Sequence, residues 1–296
     1  MYELVKLTEN DYYIDCPAKI GVVKISDSEV ILIDSGSDKD AGKKVKKIID
    51  ENGWTLKAIY NTHSHADHIG GNEVLQERTG CEIYANGLER VVTENPIFEP
   101  LYLYGGLPFH ELRNKFLMAK PSMALNLTSE SIYTGFSIIM LPGHSMDMIG
   151  ILTPSGTAFI ADSVTSEDTL NKYGMAYLFD PKTSRETLEN LKELKAERFV
   201  PAHAEVTTDI KHLCDVNIES IDKAFNKIFG LLSFPMTFEE LLKKVFDEYG
   251  MTMTTQQYVL IGNTVKGYLT NLYQDGKISF RIEENKMIWE TTTKEG

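Results

Sequence analysis

The stretch Thr62-His63-Ser64-His65-Ala66-Asp67-His68 sets three imidazoles and a carboxylate side by side in a chain with seven histidines in all. Imidazole and carboxylate are ligands for divalent cations, and crowding them locally without a cation would be hard to explain. Side chains two apart on an extended segment share a face, so His63 and His65 can converge on one ion; a following turn lets Asp67 and His68 reach another. An ion that keeps an open position can activate water, so this spacing points to hydrolysis.

Strand ends are the elements that must deliver these groups. An apolar run at 56–61 reads as a strand ending at the cluster, and 69–76 reads as a helix beginning just after it, with Gly70-Gly71 permitting close backbone approach. The same placement recurs downstream. Strands over 137–141, 157–161 and 198–200 lead into Pro142-Gly143-His144-Ser145, Ala161-Asp162-Ser163 and Pro201-Ala202-His203-Ala204. Each of these is weak alone, and isolated histidines such as His110 and His212 read as surface or hydrogen-bonded residues. Asp34, after the apolar run 30–33, has two readings: a support for a ligand imidazole or a turn-capping aspartate.

Taken in order, these segments resemble the metallo-β-lactamase superfamily, in the dinuclear hydrolase branch that includes glyoxalase II. The resemblance spans about residues 34–203 and implies an αββα sandwich with the site at one edge of its two sheets. It also implies that His63, His65 and His144 hold one metal, that Asp67, His68 and His203 hold a second, and that Asp162 bridges them. Asp67 and Asp162 are then the catalytic carboxylates, and Asp34 matches a position that supports the cluster. Two ions lower the pKa of a shared water toward about 7, which gives a hydroxide nucleophile without serine or cysteine. Zinc is expected first, with iron or manganese as alternatives, since this ligand set accommodates all three. The chain departs from some relatives. His65 and the absence of a flavodoxin-like domain set it apart from the diiron flavoproteins, and the β-CASP insertion of many nucleic-acid-processing relatives is missing. Ala161-Asp162-Ser163-Val164 also lacks the glycine-rich continuation of glyoxalase II.

The remaining segments complete an α/β chain of expected organisation 1–207, 208–232 and 233–296. The first unit is the catalytic sandwich. Its opening 34 residues are β-rich, and Ser37 or Asp38 caps a helix with Val45, Ile48 and Ile49 inward and its lysines toward water. Residues 95–128, with Pro96, Pro100, Gly105-Gly106, Pro108 and Pro121, interrupt the β/α rhythm and read as a substrate cover, a structural excursion or a dimer contact. Residues 208–232 predict a connecting helix, and Ser233-Phe234-Pro235 marks a boundary. Two further helices and two strands beyond it outline a winged-helix-like C-terminal domain.

A formal charge of −13 argues against a nucleic-acid reader, whose affinity comes from Lys and Arg contacts to phosphate. The first ten residues carry charges and no apolar run, and no stretch of the chain has the length and apolarity of a membrane span, so a cytoplasmic location is expected. Cys16, Cys81 and Cys214 are odd in number and far apart, which suits reduced, buried thiols.

The sequence thus predicts a two-metal hydrolase of an ester, thioester or lactone of a small, anionic molecule. Arg113, Lys115 and Lys120 form a basic island in the insertion that could hold such an anion, against the alternative of a solvated face. Tyr173 and Tyr177 follow Asp162 and could approach a developing oxyanion as a lactonase-like tyrosine would. The rival readings are a phosphodiesterase or endoribonuclease of the lactamase-like family, and a metal-stabilised interaction protein. The sequence also allows a homodimer through the insertion or the C-terminal domain.

Overall fold

The computed structural model describes residues 2–292. Strands β1 (Glu3–Lys6), β2 (Asp11–Asp15), β3 (Ile20–Lys24) and β4 (Glu29–Ile33) form an antiparallel meander. The chain then passes through α1 (Lys39–Glu51), β5 (Thr55–Tyr60), α2 (Ala66–Ile69), α3 (Asn72–Thr79), β6 (Glu82–Ala85), α4 (Gly87–Glu94), α5 (Phe98–Tyr104) and β7 (Leu125–Asn126). β5, β6 and β7 add in parallel to β4 and complete a seven-stranded sheet in sequence order.

The second sheet contains β8 (Ser137–Met140), β9 (Ile149–Leu152), β10 (Thr157–Ala161) and, after α6 (Glu167–Tyr173) and α7 (Pro181–Leu191), β11 (Arg198–Pro201). Its order is β11-β10-β9-β8, with only the β10–β11 pair parallel. Ile31, Ile33 and Tyr60 from the first sheet meet Ile149, Ile151 and Phe159 from the second, so the two sheets share a dry interface. Gly21 is needed there, because a Cβ on it would lie 2.7 Å from the Phe159 ring. The outer face of the first sheet is covered by α1 and α3 through Val45, Ile49 and Leu75. α1 starts where Asp38 Oδ1 accepts from the Asp40 and Ala41 amides. This is the αββα sandwich expected of the resemblance.

The C-terminal part contains α8 (Lys211–Leu231), α9 (Phe238–Glu248), α10 (Thr255–Gln274) and the hairpin of β12 (Ile278–Glu283) with β13 (Lys286–Thr291). Glu284 and Asn285, at φ 49° and 61°, make the tight turn of that wing. These helices have no separate core. Val245 of α9 and Val265 and Leu269 of α10 belong to the same apolar cluster as Ile160 of β10 and Leu188 of α7. The insertion is likewise anchored, with Leu103, Leu112 and Leu117 packed on Val259 of α10. Among the described residues no helix is long and apolar enough to cross a membrane.

One local expectation differs from the structure. The single helix expected over 69–76 is divided, with α2 beginning at Ala66 and α3 at Asn72. Gly70 and Gly71 between them press against the β4–α1 turn, so that a Cβ on Gly70 would stand 2.3 Å from the Ser37 carbonyl carbon and one on Gly71 2.3 Å from the Ser35 oxygen. After β10 the chain forms helix α6, whose start is set by the Ser166 side chain capping the Thr169 amide. Gly70 has an ordinary φ of −63°, so Gly70→Ala tests the close approach alone. It should lower stability by about 1–3 kcal/mol, measured as a reduced urea midpoint at unchanged m-value.

Candidate metal centre

Both sheets end at the same edge, and the turns after β5, β8, β10 and β11 carry the polar cluster there. The Cα paths are forced: Asp34 and Ala161, at the ends of β4 and β10, hold φ 66° and 48°, an uncommon conformation for side-chain-bearing residues that is met at functional sites. Two groups of donors result, His63 with His65 and His144, and Asp67 with His68, Asp162 and His203, the donor atoms in each lying within 4.8 Å of one another. His65 Nδ1 lies 3.0 Å from both His63 Nε2 and His144 Nε2. Asp162 reaches both groups: Oδ1 is 3.1 Å from His68 Nε2, while Oδ2 is 3.3 Å from His203 Nε2 and 3.5 Å from His144 Nε2. Asp67 Oδ2 lies 3.2 Å from His203 Nε2.

Supporting bonds aim these atoms inward. Asp34 Oδ2 lies 2.8 Å from His68 Nδ1 and accepts from the Thr62 hydroxyl at 2.7 Å, and that hydroxyl is 3.1 Å from His63 Nδ1. One carboxylate therefore fixes one imidazole in each group, directly and through Thr62, and leaves both Nε2 atoms facing the centre. Asp34 Oδ1 also accepts the Thr62 amide at 2.8 Å. On the far side the Pro17 carbonyl, 2.9 Å away, orients His203 through Nδ1.

Burial and charge set the protonation. Desolvation, with neighbouring imidazoles adding, pulls His63 well below the usual histidine range, and desolvation brings His65 and His144 to about 4. For His68, desolvation is outweighed by Asp162, Asp67 and Asp34, and the ring is pushed well up; Asp162 chiefly raises His203 to about 10. Burial opposes ionisation of Asp67, yet His68 and His203 hold it at about 2. The fit to a cation is seen in two atoms: His68 Nε2 and Asp162 Oδ1 are buried without a hydrogen-bond partner, and both are lone-pair donors in kind.

The other expected residues are dispersed. Tyr177 lies edge-on to His65 and His144, at centroid distances of 5.4 and 5.6 Å, and its hydroxyl donates to Asn263 Oδ1 of α10 at 3.3 Å. Tyr177 and Tyr173 both line a cavity shared with His144, Asp162 and His203 and, from α10, Leu260 and Ile261, and Tyr173 is half exposed. The basic island does not reach this cavity. Arg113 Nε donates to the Pro108 carbonyl, Lys115 pairs with Asp38 at 2.9 Å, and Lys120 is exposed, because α5 and the turns after it pack on α10 and turn this segment outward. Among the described residues, the one lysine lining the cavity is Lys19 of the β2–β3 turn, bonded to the Ala204 carbonyl at 2.8 Å.

Glu89 is a further participant. Buried on α4, it accepts from the Ser64 amide and hydroxyl at 2.9 and 2.5 Å, from the Ser145 hydroxyl at 2.8 Å and from the Asp147 amide at 2.9 Å. It thereby clasps the His63–His65 turn to the His144 turn. In the sequence it is one more glutamate on a charged helix and carries no signal. Glu99 of α5 is also buried, its carboxyl pushed well up by desolvation and by the charge of Asp67.

Fold and donor geometry together define an αββα sandwich with a candidate metal-binding cluster at one edge. The family model of the metallo-beta-lactamase superfamily matches residues 13–203, and the chain belongs to that superfamily. A hydroxyacylglutathione hydrolase of Pseudomonas entomophila is 27% identical over 52% of this chain and 50% of its own length. The chain thus spans about half the length of that curated relative. A beta-lactamase domain protein from Burkholderia ambifaria superposes with a TM-score of 0.73 at 13% identity, covering 98% of this chain and 94% of that one. A metallo-beta-lactamase family protein from Thermus thermophilus superposes at 0.71 with 16% identity, covering 99% and 98%. Both share the fold through the C-terminal helices, which the family model does not reach.

Glu89→Ala should weaken metal affinity about 10–100-fold, as read by competition with a chromophoric chelator, because the two ligand turns lose their common clasp. Metal uptake should also displace about two protons near pH 7, from His68 and His203. Both have raised pKa values, so acid weakens binding and a rise in pH strengthens it; calorimetry in two buffers of different ionisation enthalpy counts the protons.

Proposed function

We propose that the chain is a metal-dependent hydrolase acting on an ester, thioester or lactone of a small molecule, with two divalent ions, zinc first and iron or manganese as alternatives. The observation that carries it is the reach of Asp162 to imidazoles of both donor groups. His63, His65 and His144 would hold one ion, Asp67, His68 and His203 the other, and Asp162 both. When bound, the ions would supply Lewis acidity and a water of lowered pKa. Kinship with hydroxyacylglutathione hydrolases supports the hydrolytic assignment.

The chain's own groups do the rest. Neutral His63, His65 and His144 offer lone pairs without prior deprotonation, and the Asp67 and Asp162 carboxylates offset the cation charge. Tyr177 keeps its phenolic proton, because burial pushes its pKa up. It borders the cavity beside His144, and turning its O–H away from Asn263 would let it donate to oxygen as charge develops on the substrate. Apolar side chains along the same cavity exclude water from the substrate. The proposed division into a catalytic sandwich (1–207), a connecting helix (208–232) and a winged-helix-like region (233–296) assigns the chemistry to the first and part of the substrate wall to the last.

Chelation should abolish turnover of esters, thioesters or lactones, and zinc, manganese or iron should restore it. Asp162→Ala should lower kcat by at least about 10³-fold while leaving the fold intact by circular dichroism. A fully active metal-free preparation, or cleavage confined to phosphodiesters, overturns this reading.

A further inference from the structure

The cavity beside the centre has a volume of about 630 Å³, enough for a small organic molecule rather than a polymer segment. His144, Asp162 and His203 line it from the cluster, and Lys19 brings a cation to its wall. The donor set has no use for that lysine, because a protonated amine offers hydrogen bonds but no lone pair to a metal ion.

The turn that carries Lys19 is fastened on both sides of His203. The Lys19 amide donates to the Ala202 carbonyl at 3.1 Å, the Pro17 carbonyl lies 2.9 Å from His203 Nδ1, and Lys19 Nζ donates to the Ala204 carbonyl at 2.8 Å. Within the turn the Cys16 thiol donates to the Ala18 carbonyl at 2.9 Å, and Ala18 and Ile20, flanking Lys19, are buried. The ammonium is therefore held beside the histidine turn in one arrangement. Of its three N–H groups one is spent on the Ala204 oxygen, which leaves two.

Those two donors meet no acid. The chain has 43 acidic residues against 30 basic ones and pairs lysines such as Lys46 and Lys192 with carboxylates. Among the described residues no carboxylate lies within ion-pair distance of Lys19, which is half-buried. Asp168 and Glu205 line the same cavity, but both are exposed, so water screens them. A charge fixed in advance, partly withdrawn from water and left with free donors is suited to take up an anion at low cost in ordering.

We propose that Lys19 anchors a carboxylate carried by the substrate. This rests on the hydrolase reading above and narrows it: the substrate is a short ester or thioester with a carboxylate a few bonds from the carbonyl that is cleaved. The spacing is short because Lys19 grips the residue next to His203. The carboxylate can belong to the acyl part or to the leaving part, and the two sources share the same contact. Hydrolysis breaks the acyl C–O or C–S bond and places the water oxygen on the acyl carbon. One water proton goes to the departing alcohol or thiol, and the other is released as the new acid ionises.

The test uses metal-verified full-length protein and two pairs of thioesters. In the acyl arm, half-thioesters of glutaric and adipic acid are compared with counterparts in which a carboxamide replaces the free carboxylate. In the leaving-group arm, acetyl thioesters of mercaptopropionate and mercaptopropionamide are compared. Calorimetry measures binding of glutarate and of its monoamide alongside. The wild type should favour the charged member of one arm by about tenfold or more in kcat/KM, the difference lying in KM, because the bond to the carboxylate is made before and during the reaction alike. The arm that shows the preference assigns the source. Lys19→Gln keeps an N–H for the Ala204 carbonyl and removes the charge, so it should bring the ratio near one; Lys19→Arg should retain the preference. If Lys19→Gln lowers charged and neutral members equally and leaves the ratio intact, Lys19 is only a fastening of the turn and the proposal fails. Turnover by the wild type with no preference in either arm overturns it too, and leaves the hydrolase reading standing. Absence of turnover of every member, with glutarate still bound and released by Lys19→Gln, overturns the hydrolase reading and supports the anion site.

Discussion

Asp34 is the pivot of the metal centre. Its carboxylate takes the Nδ1 edge of His68, the hydroxyl of Thr62 and the amide of Thr62, and through that hydroxyl it reaches His63. A buried carboxylate is costly unless its lone pairs are engaged. Here the engagement also decides which ring nitrogen of two histidines is left to face the centre. To present its oxygens this way the residue adopts φ 66° at the end of β4, a conformation that aspartate tolerates better than most residues. The αββα layers matter because they hold the ends of β4, β5, β10 and β11 at one edge, where such bonds can close.

Around this pivot the site is assembled from turns, each with its own restraint. Glu89 joins the turn after β5 to the turn after β8, the Pro17 carbonyl steadies His203, and the glycines at 70 and 71 let α2 and α3 lie directly on the β4–α1 turn. None of these restraints is a ligand. They hold the ligating side chains in one geometry, so that little order has to be created when a cation binds.

The C-terminal helices carry the same packing from the sandwich to the cavity beside the cluster. Their apolar residues merge with the core beneath β10 and α7, and the insertion packs on α10, so three distant segments meet at Tyr177. An apolar interface of this kind favours one arrangement of the parts over a loosely tethered module. The helix that reads in the sequence as a winged-helix element is thereby also a wall of the cavity.

Much of the centre was legible in the residue order. Ligand types, their spacing and their positions after apolar runs were enough for the donor set and the sandwich, since strand periodicity and metal-ligand chemistry are local properties. The two C-terminal helices and the hairpin after them were readable for the same reason. Long-range packing decided the remainder. Glu89 looks like an ordinary polar helix residue until the fold buries it between the His63–His65 and His144 turns. Arg113, Lys115 and Lys120 look like an anion site until the insertion docks on α10 and faces them away from the cavity. Burial, hydrogen-bond partners and cavity walls come from segments far apart in the chain, so spacing along it cannot report them; only the tertiary structure could decide what surrounds the clustered histidines and aspartates and what lines the cavity beside them.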